Sequence, residues 1–280
     1  MKRATIPRGA VIAALVLIVI AAGGYAARRL WIKSDDLLQP VVIMQGDDAR
    51  AMVKPSVPTR IAALTGARRA SLGAPRLIAL TFDDGPYPVT TPLLLQTLHD
   101  LRVPATFFLI GRDAEQFPAL AQAVVASGNE VADHTLTHPD LDKLSPEAVR
   151  AELLDGAAML ARIAPDPSER QLFRPPHGRY TLETIRAAQA AGFDTILWSD
   201  DPGDWRSISA ETLQAHVLSH ATTPEIVLLH SGRVATVASL PALVARFREA
   251  GYTFVTVGEL LRRTSASALN RPAKSPLAAG

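Results

Sequence analysis

The chain contains no cysteine. That absence excludes a disulfide scaffold, a thiolate nucleophile and every zinc or iron–sulfur site built on thiolates. It does not argue against export, because a core of this size needs no covalent staples. Internal repeats are missing too, and so is any excess of glycine, proline or charge. The 280 residues include 17 Gly and 21 Pro, with 48% hydrophobic and 20% charged; collagenous, disordered and coiled-coil chains are thereby excluded. At about 150 residues per domain the length allows one large domain or two small ones. A large net charge is also lacking, since 29 Lys and Arg face 27 Asp and Glu. The balance is uneven along the chain. Residues 1–75 carry 11 basic against 4 acidic groups, residues 76–263 carry 16 against 23, and residues 264–280 add +2. The central part is acidic, which argues against a nucleic-acid surface that tracks phosphates and disfavours a highly anionic substrate.

What the sequence does have is one long apolar run. From Gly9 to Ala27 about nineteen residues carry no charge, with Lys2, Arg3 and Arg8 before them, enough to cross roughly 30 Å of hydrocarbon as a helix. Small residues at Gly24-Tyr25-Ala26 offer a cleavage site. The length of the run and the following Arg28-Arg29 favour an uncleaved anchor over a signal peptide. With the leading basic residues held inside, the rest of the chain faces outward. The expected location is the inner membrane, single-pass, with the rest of the chain outside the cytoplasm, or a periplasmic or secreted form after cleavage. Residues 1–33 are then an anchor or signal, 34–75 a stalk or an N-terminal extension lying on the domain, 76–263 one domain, and the Ala/Ser/Pro-rich stretch 264–280 a disordered tail.

Within 76–263 strands and helices alternate. Strands are expected at 76–82, 105–110, 130–133, 172–174, 193–198, 225–230 and 253–257. Helices are expected at 90–101, 115–127, 146–163, 181–191, 210–220 and 240–250. Seven strands alternating with helices predict a parallel sheet covered by helices, either a barrel or a doubly wound layer. Five of these strands end in ionisable groups: Asp83 and Asp84, His134, Arg174, the cluster Asp200, Asp201 and Asp204, and His230. In a parallel barrel those ends form one rim, where catalytic groups converge.

His134 and His138 are spaced to share one face of a helical turn and one metal ion, a weak signal when taken alone. The adjacent Asp83-Asp84 strengthens it. Two imidazoles and one carboxylate leave coordination positions open, and the second carboxylate is free to act as a base. A turn capping a helix would need only one Asp. His230 closes an apolar strand and reads either as a core histidine or as a general acid at the rim. Arg174 must pair with a carboxylate or bind an anion, since it cannot lose its charge. His99, His216 and His220 fall on helices away from the rim and read as structural or solvated.

Thr81-Phe-Asp-Asp-Gly-Pro86, His134-Thr-Leu-Thr-His138, Arg174-Pro-Pro-His-Gly178, Asp201-Pro-Gly-Asp-Trp205 and Ile226-Val-Leu-Leu-His230 stand in the order of the five motifs of polysaccharide deacetylases. The chain resembles the NodB-homology domain of carbohydrate esterase family four over about 76–262. The resemblance implies a distorted (β/α) barrel of about seven parallel strands. It also implies a divalent metal, usually Zn2+, with Co2+, Mn2+, Ni2+ and Fe2+ as other occupants, and hydrolysis of an acetyl group on a sugar. By the same resemblance Asp83 is the general base, and Asp84, His134 and His138 are the metal ligands. Arg174 positions Asp83, and Asp204 tunes His230, the general acid. Trp205 packs beside His230, an N–H of the Arg174–Gly178 segment holds the oxyanion, and Pro175, Pro176, His177, Trp205 and Leu228 line the substrate.

Two positions depart from the family. His177 replaces an aromatic residue, often Tyr. The swap is tolerated if the position supplies its N–H, and it shifts substrate preference if the ring lines the sugar. Ser231-Gly232 stands where an Asp is frequent, which is expected to loosen the loop after His230. The implied partner is a carbohydrate polymer: peptidoglycan, chitin-like oligosaccharide or poly-N-acetylglucosamine. An O-acetyl esterase on xylan needs the same residues. Two alternatives stand beside this reading, an amide hydrolase acting on a lipid-linked sugar or small linear amide, and a carbohydrate-binding protein without turnover. Asp83→Asn separates hydrolysis from binding. No nucleic acid or protein partner is evident, and the membrane is met only through the N-terminal helix.

Overall fold

The apolar run Arg76–Asp83 forms strand β1, and every residue after Arg76 is buried. Such unbroken runs belong to parallel strands covered on both faces. The computed structural model describes residues 76–165 and 171–269, with side chains as far as 264. Around β1 it builds a seven-stranded sheet with β2 (Thr106–Leu109), β3 (Glu130–Asp133), β4 (Leu172–Phe173), β5 (Asp194–Thr195), β6 (Glu225–His230) and β7 (Tyr252–Phe254). The order is β5-β4-β3-β2-β1-β6, and all pairs are parallel. β7 pairs with β1 at Arg76–Ile78 and β2 pairs with it at Thr81–Asp83.

The sheet curls until its ends meet. After β5 the chain returns to β6, where the Ser199 N–H donates to the Ile226 carbonyl (2.9 Å) and the Leu228 N–H donates to the Asp200 carbonyl (2.9 Å). A single bridge, Asp200↔Val227, marks this seam. The fold is the distorted parallel barrel that the motifs imply.

Alternation along the strands sorts the side chains. Ile78, Leu80 and Phe82 of β1, Phe107 and Leu109 of β2, and Val227 and Leu229 of β6 face outward into one core cluster. That cluster lies under α1 (Thr90–Leu101), α3 (Pro118–Ala126), α4 (Pro146–Ile163), α6 (Ala210–His220) and α7 (Val234–Glu249). The opposite set, Leu77, Ala79, Phe108, Ala132, Leu172, Ile196 and Ile226, faces inward and packs with Val257, Leu260 and Leu261 of α8 (Val257–Leu269). Glu130, also inward, accepts the Thr106 hydroxyl (2.7 Å) and the Gly258 N–H near the start of α8 (3.1 Å). α8 thus plugs the N-terminal end of the barrel and leaves the C-terminal end for the rim residues.

Several elements differ from expectation, each for a local reason. The helix expected at 115–127 is two helices, α2 (Gly111–Gln116) and α3. Phe117 breaks them with φ −128° and ψ 61°, as a residue before proline does. α7 starts at Val234, six residues before the expected start at 240, and carries Pro241 inside it. β4 and β5 shrink to two residues each. The polypeptide past β7 is helical from Val257 to Leu269, so regular structure continues beyond 263. The apolar run 9–27, the stalk and residues 270–280 lie outside the described residues. No helix among those described is long and apolar enough to cross a membrane.

Candidate active site

The inward set that is apolar at the base becomes polar at the rim. Asp83 ends β1 two residues past the inward Thr81, and the next residue leaves the alternation. Asp84 has φ 67°, a left-handed conformation that Asp adopts more readily than most residues. Consecutive strand residues would point to opposite faces. With this kink both carboxylates approach one imidazole, each 3.7 Å from His134 Nε2. Asp84 Oδ1 also lies 3.3 Å from His138 Nε2.

His134 and His138 do not share a helical turn, as their spacing suggests. The segment between them is irregular, with Thr135 at φ 70° and His138 at φ 60°. The Thr135 hydroxyl accepts the His138 N–H at 2.9 Å. His134 Nδ1 lies 2.8 Å from the Arg174 carbonyl. A carbonyl only accepts, so Nδ1 carries the proton and Nε2 keeps its lone pair. Burial pushes the basicity of both imidazoles down, which keeps them neutral as ligation requires. Asp84 is held below the usual carboxylate range: burial works against this, but His138, His230 and His134 together outweigh it. The ligating atoms of Asp84, His134 and His138 all lie within 4.8 Å of one another. One carboxylate and two neutral imidazoles, one of them anchored through its outer nitrogen, fit a divalent cation with positions left for water and substrate.

Arg174 is fully buried. Its Nη1 donates to Asp83 Oδ1 (2.6 Å) and to the Thr81 hydroxyl (2.8 Å); Nε and Nη2 donate to the Ile196 and Leu197 carbonyls (3.3 and 3.2 Å). The guanidinium lies 4.0 Å from the centre of the Phe108 ring. Burial nevertheless dominates at Asp83 and raises it to about 6, with Arg174 and His230 opposing. On the other side of the rim His230 Nδ1 meets Asp204 Oδ1 at 2.7 Å, and the His230 N–H donates to Asp204 Oδ2 at 2.8 Å. The Thr236 hydroxyl donates to the same Oδ2. Burial disfavours the charged imidazole of His230, but Asp204, Asp84 and Asp83 outweigh it and hold His230 at about 9.

The remaining expected residues are placed as follows. Pro175 and Pro176 are buried, and Leu228 is buried on β6. Trp205 is half-buried with the Arg206 guanidinium 4.5 Å over its ring. The His177 ring lies edge-on to His138 at 4.5 Å, and its Nδ1 meets Asp140 Oδ1 at 2.9 Å. Ser231 does not loosen its loop. Its hydroxyl donates to the Asp83 and Asp84 carbonyls (3.1 Å each) and its N–H to the Asp83 carbonyl (3.0 Å), pinning the end of β1. Gly178, at φ 63°, has the Trp198 ring where a Cβ would stand, 2.6 Å away. Thr81, Asp140 and Thr236 were missed by sequence reasoning. Thr81 alone carried a signal, as a polar residue at an inward position of an apolar strand. Asp200, expected at the rim, instead turns its carboxylate to helix α6, 3.0 Å from His216.

Of the five non-glycine residues with positive φ among those described, four are Asp84, Thr135, His138 and His177. Backbone strain of about 1–3 kcal/mol per residue, gathered at one spot, marks a functional site.

The sequence model of the polysaccharide deacetylase family matches residues 72–196. A peptidoglycan-N-acetylglucosamine deacetylase of Bacillus cereus is 39% identical over 67% of this chain and 89% of its own length. The chain belongs to the polysaccharide deacetylase family. A chitooligosaccharide deacetylase of Sinorhizobium fredii is 36% identical over 66% of this chain and 91% of its own length. Among solved structures, a peptidoglycan N-acetylglucosamine deacetylase in complex with 4-naphthalen-1-yl-N-oxidanyl-benzamide superposes with a TM-score of 0.64 at 30% identity, covering 66% of this chain and 88% of that one. This polysaccharide deacetylase is therefore a hydrolase, of a family whose members depend on a metal, and its Asp84–His134–His138 group is a donor set for one.

Proposed function

We propose that this deacetylase removes N-acetyl groups from an N-acetylglucosamine polymer of the cell envelope, with zinc as its cation. The observation that carries the reading is the division of labour between adjacent carboxylates. Asp84 faces the two histidines, while Asp83 is tied through Oδ1 to Arg174 and keeps Oδ2 beside His134. One relative is named for peptidoglycan N-acetylglucosamine and another for chitooligosaccharides, which supports the substrate class.

Asp84, His134 and His138 would hold a divalent cation, which when bound would supply Lewis-acid polarisation of the acetyl carbonyl and acidification of a water. Asp83 takes a proton from the attacking water at Oδ2, and Arg174 fixes the carboxylate for that transfer. Held near 6, Asp83 is mostly ionised at neutral pH yet more basic than an exposed Asp. The new C–O bond places negative charge on the acetyl oxygen. Within Arg174–Gly178 the prolines have no N–H, and the Arg174 and Gly178 N–H groups already bond the Asp133 and Pro175 carbonyls. The His177 N–H is thus the amide assigned to the oxyanion. His230 then donates a proton to the departing amine as the C–N bond breaks, with Asp204 holding its ring. The uncharged run Gly9–Ala27 behind Lys2, Arg3 and Arg8 supports a membrane anchor with this site outside the cytoplasm.

The test is acetate release by the purified full-length chain from chitooligosaccharides and from peptidoglycan, with zinc and with chelator. Release from one or both, abolished by chelator and restored by zinc, is expected. A zinc-loaded chain that releases acetate from neither overturns the reading.

A further inference from the structure

Outside the catalytic rim the barrel seam carries a second cluster of metal-ligating groups. Asp200 sits on the seam beside Val227, and its side chain meets the helix α6 that covers it. Two imidazoles one turn apart on α6 face it. His216 Nε2 lies 3.0 Å from Asp200 Oδ1, and the rings of His216 and His220 stack at 4.2 Å. The ligating atoms of all three residues lie within 4.8 Å of one another.

Each member is prepared for a cation in a different way. His220 Nδ1 lies 2.9 Å from the His216 carbonyl, so that nitrogen carries the proton and Nε2 offers its lone pair. Asp200 is 5% exposed, and its Oδ2 has no hydrogen-bond partner among the described residues. Buried carboxylate oxygens without a partner are rare, because leaving one unpaired costs about 1–3 kcal/mol or more. A neighbouring carboxyl repeats the pattern. Glu225 is fully buried at the start of β6, its Oε1 is likewise unpartnered among the described residues, and burial, reinforced by Asp200, raises it to about 8. Two buried carboxyl groups are therefore crowded together, each with one oxygen unpartnered among the described residues. Both histidines also lie in the last turns of α6, where the helix dipole favours positive charge.

We propose that Asp200, His216 and His220 form a second divalent-cation site, structural rather than catalytic, suited to zinc. Bonds of about 2.0–2.2 Å hold tetrahedral ligands roughly 3.3–3.6 Å apart. The Asp200–His216 pair is already near that spacing, and the exposed His220 ring closes on it by rotation. His216 bonds the cation through Nε2 once its proton has moved to Nδ1. Water completes the shell on the exposed side. Such an ion clamps α6 to the seam one residue before the Asp201–Asp204 loop that carries the partner of His230. It would stabilise the rim without touching substrate.

The test counts zinc in the untagged full-length chain after stripping and reloading. The expected result is two ions per chain, falling to one in His220→Ala, to one in His138→Ala and to none in the double variant. His216→Asn serves as a second probe of the seam site and is expected to match His220→Ala. Thermal unfolding gives an independent readout: zinc raises the Tm of His138→Ala, and adding His220→Ala abolishes that rise. His220 is exposed on a helix, so its replacement leaves the fold intact. One ion in the wild-type chain, or an unchanged count in His220→Ala, overturns the proposal. The count does not depend on turnover, so it stands or falls separately from the deacetylase reading.

Discussion

The lower and upper halves of the barrel interior are built by the same strands under the same alternation, and they come out as opposites. At the base Leu77, Ala79, Ala132, Leu172 and Ile226 meet one another and α8. Two residues further along these strands stand Thr81, His134, Arg174 and Leu228, and then Asp83 and His230. The base stabilises by removing apolar surface from water. The rim buries charge, which is tolerable only because each group has a partner: Arg174 four acceptors, Asp83 a guanidinium, Asp204 three donors. One half of the lumen holds the fold together, and the other uses that rigidity to aim groups at a substrate.

Substitutions can break or sharpen this contrast. The largest effect belongs to His230→Ala, which should lower kcat by about 10²–10⁴-fold, the range for loss of a general acid. Its unfolding midpoint should fall as well, because buried Asp204 loses its charged partner and keeps only the Thr236 hydroxyl and the backbone N–H. Arg174→Leu should cross the divide, because it leaves Asp83 buried and unpaired. A loss of about 3–5 kcal/mol by urea unfolding is expected together with the loss of activity. Asp204→Asn should act on protonation. His230 is held near 9 by Asp204 against burial, so removing that charge makes the ring lose its proton at lower pH. The alkaline limb of the kcat profile should move down by about 1–3 pH units, the span a neighbouring opposite charge controls. Ile226→Val at the base should cost only about 0.5–1.5 kcal/mol and leave kcat unchanged.

What could be read from the sequence followed the same divide between regular and irregular backbone. β1 and β6 are long buried runs, and the rim residues at their ends were legible by position. β5 is shorter than its apolar run because the Ile196 and Leu197 carbonyls turn away from the ladder to the Arg174 guanidinium, a contact between segments that no local pattern announces. The histidine pair was recognised through its spacing, but the wrong geometry was inferred. The left-handed Thr135 and His138, which bring the rings beside Asp84, are held by the Thr135 hydroxyl rather than by a helix. α8 is legible only in part, because the helical spacing of Val257, Leu260 and Leu261 runs straight into the Ala/Ser-rich tail. Asp140, which fixes His177, lies in a loop with no periodicity and left no trace.

The most direct measurement of the central claim, that Asp83 and Asp84 do different work, pairs Asp83→Asn with Asp84→Asn and records zinc content and acetate release on the same samples. Asp83→Asn is expected to keep the catalytic-site zinc and lose acetate release, and Asp84→Asn to lose both. Acetate release at the wild-type rate from Asp83→Asn, or zinc lost equally in the two variants, would contradict it.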